Sequence, residues 1–245
     1  MQENPIPTVA IGGTDGRELK DTRKYDQDMA HDLWYLVTAV VMSSVNQPGD
    51  VKLVYKIISD RIDLLENKTR VEKNHLLASI VLKLREAILK SYIIIGFPKT
   101  INTLQQLANV TPDHIKALLP NKPLRKEETW SDVQNERQRG RSLFGKIYNR
   151  HTDKVIRNMY STHPDLAQTA LHQLYGPTLG ETSILDARET SLVTVAGLMI
   201  QNIPLQLVGH SHGAIHNGAT KDDINRVQSI VSAMADYYKT PIAKL

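Results

Sequence analysis

One predicted helix holds the residues best suited to proton transfer in this sequence. Helical spacing places Gln206, His210 and Asn217 on one face, with Gly213 and Ala214 between them. An imidazole donates or accepts a proton near neutral pH, and small residues beside polar ones leave the space that a small-molecule pocket needs. We therefore predict that His210 is catalytic and faces a polar pocket, with Gln206 and Asn217 binding substrate. The alternative is a histidine that only completes hydrogen bonds in the core.

The composition excludes chemistry that depends on thiols. The chain has 245 residues and no cysteine, which rules out disulfides, thiolate nucleophiles, iron–sulfur clusters and zinc sites with cysteine ligands. His212 and His216 lie four residues apart and could share a metal ion. However, Gly213 stands where a zinc protease has its glutamate, and the sequence marks no third ligand. We predict neither a metal site nor a cofactor, and we interpret the two histidines as solvated or inter-subunit residues.

The elements that must position these residues are predicted to be helices. Apolar residues recur every three or four positions along most of the chain, and no segment shows the alternation of a half-buried strand. Asp186 is suited to cap a helix that includes residues 192–200, where apolar side chains cover most of the circumference. We therefore expect an all-α helical bundle with this helix at its centre.

Turn-forming and charged residues divide the chain into five parts. The predicted parts are a flexible arm over 1–26, a helical half over 27–120, a linker over 121–139, a second helical half over 140–240 and an exposed tail over 241–245. The two halves share a weak internal sequence similarity. Arg85-Glu86 precedes Pro98 at the end of one apolar helix, and Arg188-Glu189 precedes Pro204 at the end of another. This similarity predicts two pseudo-repeated halves that pack together.

Charge and hydropathy restrict the partners. The formal net charge is only +4, and the basic stretches Lys122–Lys126 and Arg137–Arg141 come without a nucleic-acid recognition motif or an aromatic stacking platform. No apolar run approaches the roughly 20 residues of a membrane helix. We expect neither a nucleic-acid nor a membrane partner. The apolar segment 192–200 and the small residues Gly213 and Ala214 instead predict a homodimer or homotrimer.

The last three residues have the form of a targeting signal. Ala243-Lys244-Leu245 is a small residue, a basic residue and a leucine, one step from the Ser-Lys-Leu that a receptor reads on peroxisomal proteins. Pro241 ends the preceding helix and helps to free the tail. We predict that Ala243, Lys244 and Leu245 bind the peroxisomal import receptor and that the protein lies in the peroxisome matrix. Chance occurrence of the tripeptide is the alternative.

The second half also contains short segments in a recognisable order. They are His163-Pro164-Asp165-Leu166, Tyr175-Gly176, Asp186 to Ala196, Pro204 to His210, Gly213-Ala214 and Asn217 to Thr220. By order and spacing they resemble the carboxymuconolactone decarboxylase-like family of the alkyl hydroperoxidase D-like superfamily. In the first half, Arg85-Glu86-Ala87 and Gly96-Phe97-Pro98-Lys99 resemble the degenerate N-terminal half of fungal double-length, peroxisomal members. The resemblance implies an all-α, oligomeric protein.

The family has two chemical branches, and this sequence is closer to one of them. In the branch similar to alkyl hydroperoxidase D, a Cys-x-x-Cys pair precedes a histidine. Matched on His210, the cysteine positions are Ile203 and Gln206, so the redox pair is absent. That branch also has a glutamate where this chain has Ser191, whereas Ser191-Leu192-Val193-Thr194 is similar to the Ser-Leu-Ile-Thr of the lactone decarboxylases. The resemblance therefore implies decarboxylase-type ancestry, and thiol peroxidase activity is excluded.

The resemblance also implies roles for the candidate residues. Loss of CO2 from a carboxylated lactone leaves carbanion character, which a general acid quenches by protonating carbon, and His210 is the candidate acid–base group. Arg188 would bind a second carboxylate of the substrate, and Glu189 would orient or polarise the histidine. A structural ion pair at a helix start is the alternative for both. We predict a cofactor-free peroxisomal enzyme of the lactone-decarboxylase type that acts on a small carboxylated or lactone-like substrate. The rival prediction is a non-catalytic helical scaffold or small-molecule binder.

Overall fold

The computed structural model of the chain describes residues 32–245, and it confirms the all-α prediction: the described part is helical and has no strand. The arm predicted over 1–26 lies outside the described residues. In chain order the α-helices are α1 (Trp34–Ser44), α2 (Val51–Asp63), α3 (Arg70–Ile95), α4 (Phe97–Val110), α5 (Asp113–Lys116), α6 (Trp130–Tyr148), α7 (Thr152–Thr162), α8 (Pro164–Thr169), α9 (Ala187–Ile200), α10 (Pro204–His216) and α11 (Lys221–Tyr238). Two 3₁₀ turns (Pro48–Asp50 and Asn149–His151) and a π-helix (Ala170–Leu179) complete the described fold. Over the same residues, no helix is both long and apolar enough to cross a membrane.

Helix α9 is the centre of the main core. Every residue from Glu189 to Ile200 is buried, and α9 packs against α1, α3, α10 and α11. Helices from both predicted halves therefore share one core. The two halves also have a similar local plan: α3 and α9 each end in a short break, after which α4 and α10 begin with Pro98 and Pro204 in their first turn.

The features from which self-association was predicted are used inside a single chain. The apolar segment 192–200 is covered by neighbouring helices of the same chain. A Cβ atom on Gly213 would lie 2.5 Å from Cγ2 of Ile147, so this glycine permits the close approach of α10 to α6. Ala214 is fully buried in the main core. Self-association as a dimer or trimer stays a prediction, but these residues no longer argue for it.

A second, smaller core forms where α6 crosses the π-helix. It consists of Leu143, Phe144, Ile147, Leu171, Tyr175 and Leu179. The crossing is close because two glycines meet there: a Cβ atom on Gly140 would lie 2.3 Å from the backbone nitrogen of Gly176. Helix α6 begins at Trp130, where Thr129 and Asp132 form a capping box, so the linker predicted over 121–139 is shorter than expected.

A buried lysine joins α3 to the segment between the π-helix and α9. Lys90 is 1% exposed, and its ammonium group donates hydrogen bonds to the carbonyl oxygen of Glu181 (2.5 Å) and to Oγ1 of Thr190 (2.7 Å). Glu86 lies 3.9 Å from the same ammonium and is itself paired with Arg125 at 2.6 Å. Burial lowers the pKa of Lys90 to about 8. The hydrogen bonds and the nearby carboxylate compensate the charge that burial desolvates.

The tail over 241–245 is only partly exposed, which corrects the prediction. Lys244 and Leu245 are exposed, but Ala243 is 3% exposed and its N–H donates to the carbonyl oxygen of Met199 at 3.0 Å. Met199 lies in the last turn of α9, and its carbonyl oxygen also accepts from the N–H of Asn202 at 3.0 Å. The tail is therefore held at Ala243 by an additional hydrogen bond to the end of the central helix.

We predict that Gly140→Ala destabilises the fold whereas Gly145→Ala, on the same helix, does not. The new Cβ at position 140 would collide with the backbone of Gly176, and the free energy of unfolding should fall by about 2 kcal/mol or more. A Cβ at position 145 meets nothing within 4 Å, so alanine there should raise stability by about 0.5 kcal/mol through helix propensity. Urea unfolding measures both changes, and equal stability of the two variants would contradict the predicted crossing.

Candidate active site

His210 lies on α10 against two tyrosines of the smaller core. Its Nε2 atom is 3.4 Å from the hydroxyl oxygen of Tyr175, and the centre of its ring is 6.1 Å from that of Tyr148. The Phe144 ring packs against both tyrosines, with centre distances of 4.4 Å to Tyr148 and 4.8 Å to Tyr175. The histidine that the sequence singled out therefore sits in an aromatic environment rather than among the predicted polar partners.

This environment determines the charge of the imidazole. Burial lowers the pKa of His210 to about 4, and desolvation is the cause, with no carboxylate raising it. The ring is therefore neutral at pH 7 and has a single N–H. A neutral imidazole can donate one hydrogen bond and accept another, but it is not a cationic acid.

The two tyrosines and the histidine form a connected group of side chains. The Tyr175 hydroxyl oxygen lies 3.4 Å from Nε2 of His210, and Tyr175 is close enough to Tyr148 to lower the pKa of its phenol. Burial raises the pKa of both phenols, that of Tyr175 most. All three groups are thus neutral near pH 7. We refer to Tyr148, Tyr175 and His210 as the tyrosine–histidine chain.

Tyr148 also lines an open cleft at the end of α6. The cleft has a volume of about 400 Å³ and is lined by Ile147, Tyr148, Asn149, Arg150, His151, Gly209, His212 and His216. It forms because α6 ends at Tyr148, and Asn149, with φ of +48°, turns the chain into the 3₁₀ turn Asn149–His151. The Nδ1–H of His216 donates to the carbonyl oxygen of Ile147 at 3.0 Å and ties α10 to this end of α6. Tyr148 is the member of the tyrosine–histidine chain that reaches the cleft.

Arg188 and Glu189 are engaged elsewhere. The Arg188 guanidinium forms a two-pronged pair with Asp223, with nitrogen–oxygen distances of 3.1 Å and 2.5 Å. Glu189 accepts from the ammonium of Lys83 at 2.6 Å and forms a capping box with Asp186 at the start of α9. Both residues thus make the ion pairs at helix starts that were the alternative interpretation, and neither lines the cleft.

The other two predicted substrate-binding residues do not line the cleft either. Gln206 is exposed on α10. Asn217 is buried, and its Nδ2 donates to the Ser191 hydroxyl at 2.9 Å. Its Oδ1 has no hydrogen-bond partner in the described part of the chain. The structure does not bring Arg188, Glu189, Gln206 or Asn217 into the cleft, and their roles toward a substrate stay predictions.

Sequence reasoning missed the residues that surround His210. Tyr175 was noted only as part of a segment that carries the family resemblance, and Tyr148 was not considered. A usable signal was the spacing of Phe144 and Tyr148, four residues apart on α6, which indicates an aromatic stripe on one helix face. Between residues 32 and 245, no group of three or more His, Cys, Asp or Glu side chains is arranged to hold a metal ion.

Comparison with known proteins agrees with the all-α fold. The model of the carboxymuconolactone decarboxylase family matches residues 165–240, a range that includes Tyr175 and His210. Two yeast proteins are related to the chain over most of its residues. The chain belongs to the carboxymuconolactone decarboxylase family.

Both yeast relatives are named Peroxisomal protein 2. The relative from Schizosaccharomyces pombe is 34% identical over 80% of this chain and 82% of its own length. The one from Saccharomyces cerevisiae is 29% identical over 87% of this chain and 92% of its own length. No solved structure matches the chain. The chain is a peroxisomal member of its family, as the sequence predicted.

We predict that acid destabilises the wild-type protein more than a His210→Gln variant. The His210 pKa is about 4 in the folded state and 6.5 in the reference state, so unfolded chains take up a proton that folded chains do not. This contribution to stability is complete above pH 6.5 and is lost as the pH falls toward 4. Between pH 7 and pH 4.5, the wild type should lose about 2.5 kcal/mol more than the variant. Urea unfolding at the two pH values measures the difference, and parallel losses would refute the shifted pKa.

Proposed function

We propose that the protein is a cofactor-free peroxisomal enzyme of the carboxymuconolactone decarboxylase type, which acts on a small carboxylated or lactone-like substrate by general acid–base chemistry. The observation that supports this most is the tyrosine–histidine chain, which runs from the neutral imidazole of His210 to Tyr148 in the wall of the cleft. It connects the histidine marked by the family resemblance to a space large enough for a small ligand.

In this proposal, Tyr148 supplies the proton. The bond between the substrate carbon and its carboxylate breaks, CO2 leaves, and the electron pair stays on carbon. The Tyr148 hydroxyl then gives its proton to that carbon and becomes a phenolate. Water in the open cleft returns a proton to the phenolate when the product has left, and the hydroxide that remains passes to the bulk solvent. No cofactor or redox partner takes part in these steps.

Tyr175 and His210 stabilise the charge that develops on Tyr148. The Tyr175 hydroxyl donates to the phenolate oxygen, and the Nε2–H of neutral His210 donates to the Tyr175 oxygen. A hydrogen bond from Tyr175 lowers the pKa of Tyr148 and opposes part of the effect of burial. Hydrogen-bond donors that are already in position in a water-poor site stabilise a developing negative charge more than the same donors do in water. In this scheme His210 is a positioning residue that acts through Tyr175.

The rival function is a small-molecule binder without turnover. The binder is supported by the positions of the residues that were expected to bind substrate. Arg188 and Glu189 form structural ion pairs, and Gln206 is exposed to solvent. Such a binder would use the same cleft but would not depend on the Tyr148 hydroxyl. Turnover and binding therefore have to be measured separately.

We predict that Tyr148→Phe lowers kcat by about 100-fold or more, because it removes the proton donor and keeps the ring. His210→Phe should cause a comparable loss. His210→Gln should recover activity to within about tenfold of the wild type, since its amide N–H can donate to Tyr175. The assay incubates the enzyme in D2O with a panel of small carboxylated lactones. Proton NMR then follows loss of the carboxylate and deuterium incorporation at the same carbon.

The control for these variants is Tyr160→Phe, which removes an exposed hydroxyl from α7 and should leave the rate unchanged. Equal rates for Tyr148→Phe and the wild type would refute the proton-donor role. Absence of turnover on the whole panel, with binding intact, would favour the binder.

We also propose that the import receptor reads Ala243-Lys244-Leu245 after Ala243 has left its place beside Met199. Lys244 and Leu245 are already exposed, whereas the Ala243 N–H is bonded to the end of α9. A receptor that binds the tripeptide in extended form therefore competes with this contact. Release of one backbone hydrogen bond and one small side chain costs about 1 kcal/mol, which receptor binding can supply.

We predict that a chain truncated after Ile242 stays in the cytosol when no full-length copy is present. Fluorescence microscopy of a tagged protein in a strain lacking the endogenous gene measures this. A Lys244→Glu variant, which retains the Ala243 contact, should also fail to enter. Import of both variants at wild-type levels would overturn the proposed signal.

A further inference from the structure

Two arginines on α6 carry positive charge that no carboxylate neutralises. Arg137 and Arg141 lie one turn apart and flank Gly140, where α6 crosses the π-helix. In the described part of the chain, no carboxylate oxygen lies within 4.0 Å of either guanidinium group. Arg139, which lies between them in the sequence, is instead paired with Glu181 at 3.2 Å. The guanidinium groups of Arg137 and Arg141 therefore keep donors that suit an anion.

The Trp130 ring holds one of these guanidinium groups in position. Cζ of Arg137 lies 5.0 Å from the centre of the indole ring, which is a cation–π contact. Helical spacing places Trp130, Arg137 and Arg141 in one row along α6. Trp130 is 62% exposed, so a ligand bound at the arginines can also reach the indole. A guanidinium that is already in position loses less side-chain entropy when it binds a ligand.

A histidine of the π-helix lies in the field of the same two arginines. Neither ring nitrogen of His172 has a hydrogen-bond partner among residues 32–245, and since only Nδ1 is buried, Nε2 is the atom that a ligand can reach. Burial lowers the pKa of His172, and the charges of Arg137 and Arg141 lower it further, with no carboxylate raising it. The imidazole is therefore neutral at pH 7 and has one N–H to donate.

We infer that Arg137, Arg141 and His172 form a binding site for the phosphate group of a small metabolite or nucleotide. A phosphate monoester brings close to two negative charges and three acceptor oxygens. It can therefore pair with both guanidinium groups and accept a hydrogen bond from Nε2–H of His172. A single carboxylate has one charge and would leave one arginine unneutralised.

This site is separate from the cleft. None of its three residues lines the cleft, and Arg141 lies about 10 Å along the axis of α6 from Tyr148. The inference therefore goes beyond the proposed function and does not depend on it. It gives the protein a second ligand, recognised by its phosphate group rather than by the group that reacts.

Isothermal titration calorimetry of the full-length protein at physiological ionic strength tests the site with pyrophosphate, ADP and adenosine. We expect submillimolar binding of the first two probes and none of adenosine. Arg141→Gln should weaken pyrophosphate binding about tenfold or more, the usual scale for loss of a charge-assisted pair. The matched control is Lys146→Gln, which removes an exposed positive charge from the other side of α6 and should leave the affinity unchanged. Thermal unfolding of both variants checks that the fold is intact.

The probes also separate the two sources of the phosphate group. Tighter binding of ADP than of pyrophosphate would support a nucleotide whose base stacks on Trp130, and equal affinities would support recognition of the phosphate group alone. No binding of either phosphate probe at millimolar concentration, equal pyrophosphate affinity of Arg141→Gln and the wild type, or an equal loss in Lys146→Gln would overturn the site. Tyr148→Phe should bind pyrophosphate like the wild type, so failure of the proposed function would leave this result unchanged.

Discussion

The buried ammonium group of Lys90 is the interaction on which the arrangement of the rest depends. It lies on α3, in the first half of the chain, and donates to Glu181 and Thr190 in the second half. These partners lie on either side of the connection between the π-helix and α9. The Lys90 side chain therefore fixes the end of the π-helix and the start of α9. A buried ammonium without partners would cost several kcal/mol of folding free energy. The helices can therefore pack in this way only because the ammonium group is hydrogen-bonded. The lowered pKa of Lys90 reflects this desolvation.

The candidate site lies at the boundary between the two cores that Lys90 helps to align. His210 belongs to α10, which contributes Leu207 and Ala214 to the main core. Tyr148 and Tyr175 belong to the smaller core of α6 and the π-helix. The tyrosine–histidine chain therefore crosses from one core to the other, and its geometry depends on how α6, α10 and the π-helix pack against each other. Gly140 and Gly213 permit the two close approaches that bring them together.

The sequence predicted what depends on local periodicity and failed where distant segments meet. The helix predicted to hold Gln206 and His210 is α10, Pro204–His216, and the apolar segment 192–200 lies in the central helix. The three-residue spacing of Asp186 and Glu189 was a capping-box signal, and reading it would have assigned Glu189 to the start of α9. The partners of Arg188 and His210 could not be read in this way, because Asp223 and Tyr148 are 35 and 62 residues away and reach them only through packing.

The protonation state of the His210 ring is the most direct measure of whether the tyrosine–histidine chain can work as described. Nitrogen-15 NMR of histidine-labelled protein reports which ring nitrogen holds the proton, and the His210→Gln spectrum assigns the signal. At pH 7 we expect a neutral ring protonated on Nε2, which donates to Tyr175 and so supports proton transfer from Tyr148. A ring protonated only on Nδ1, or an imidazolium at pH 7, would contradict this mechanism.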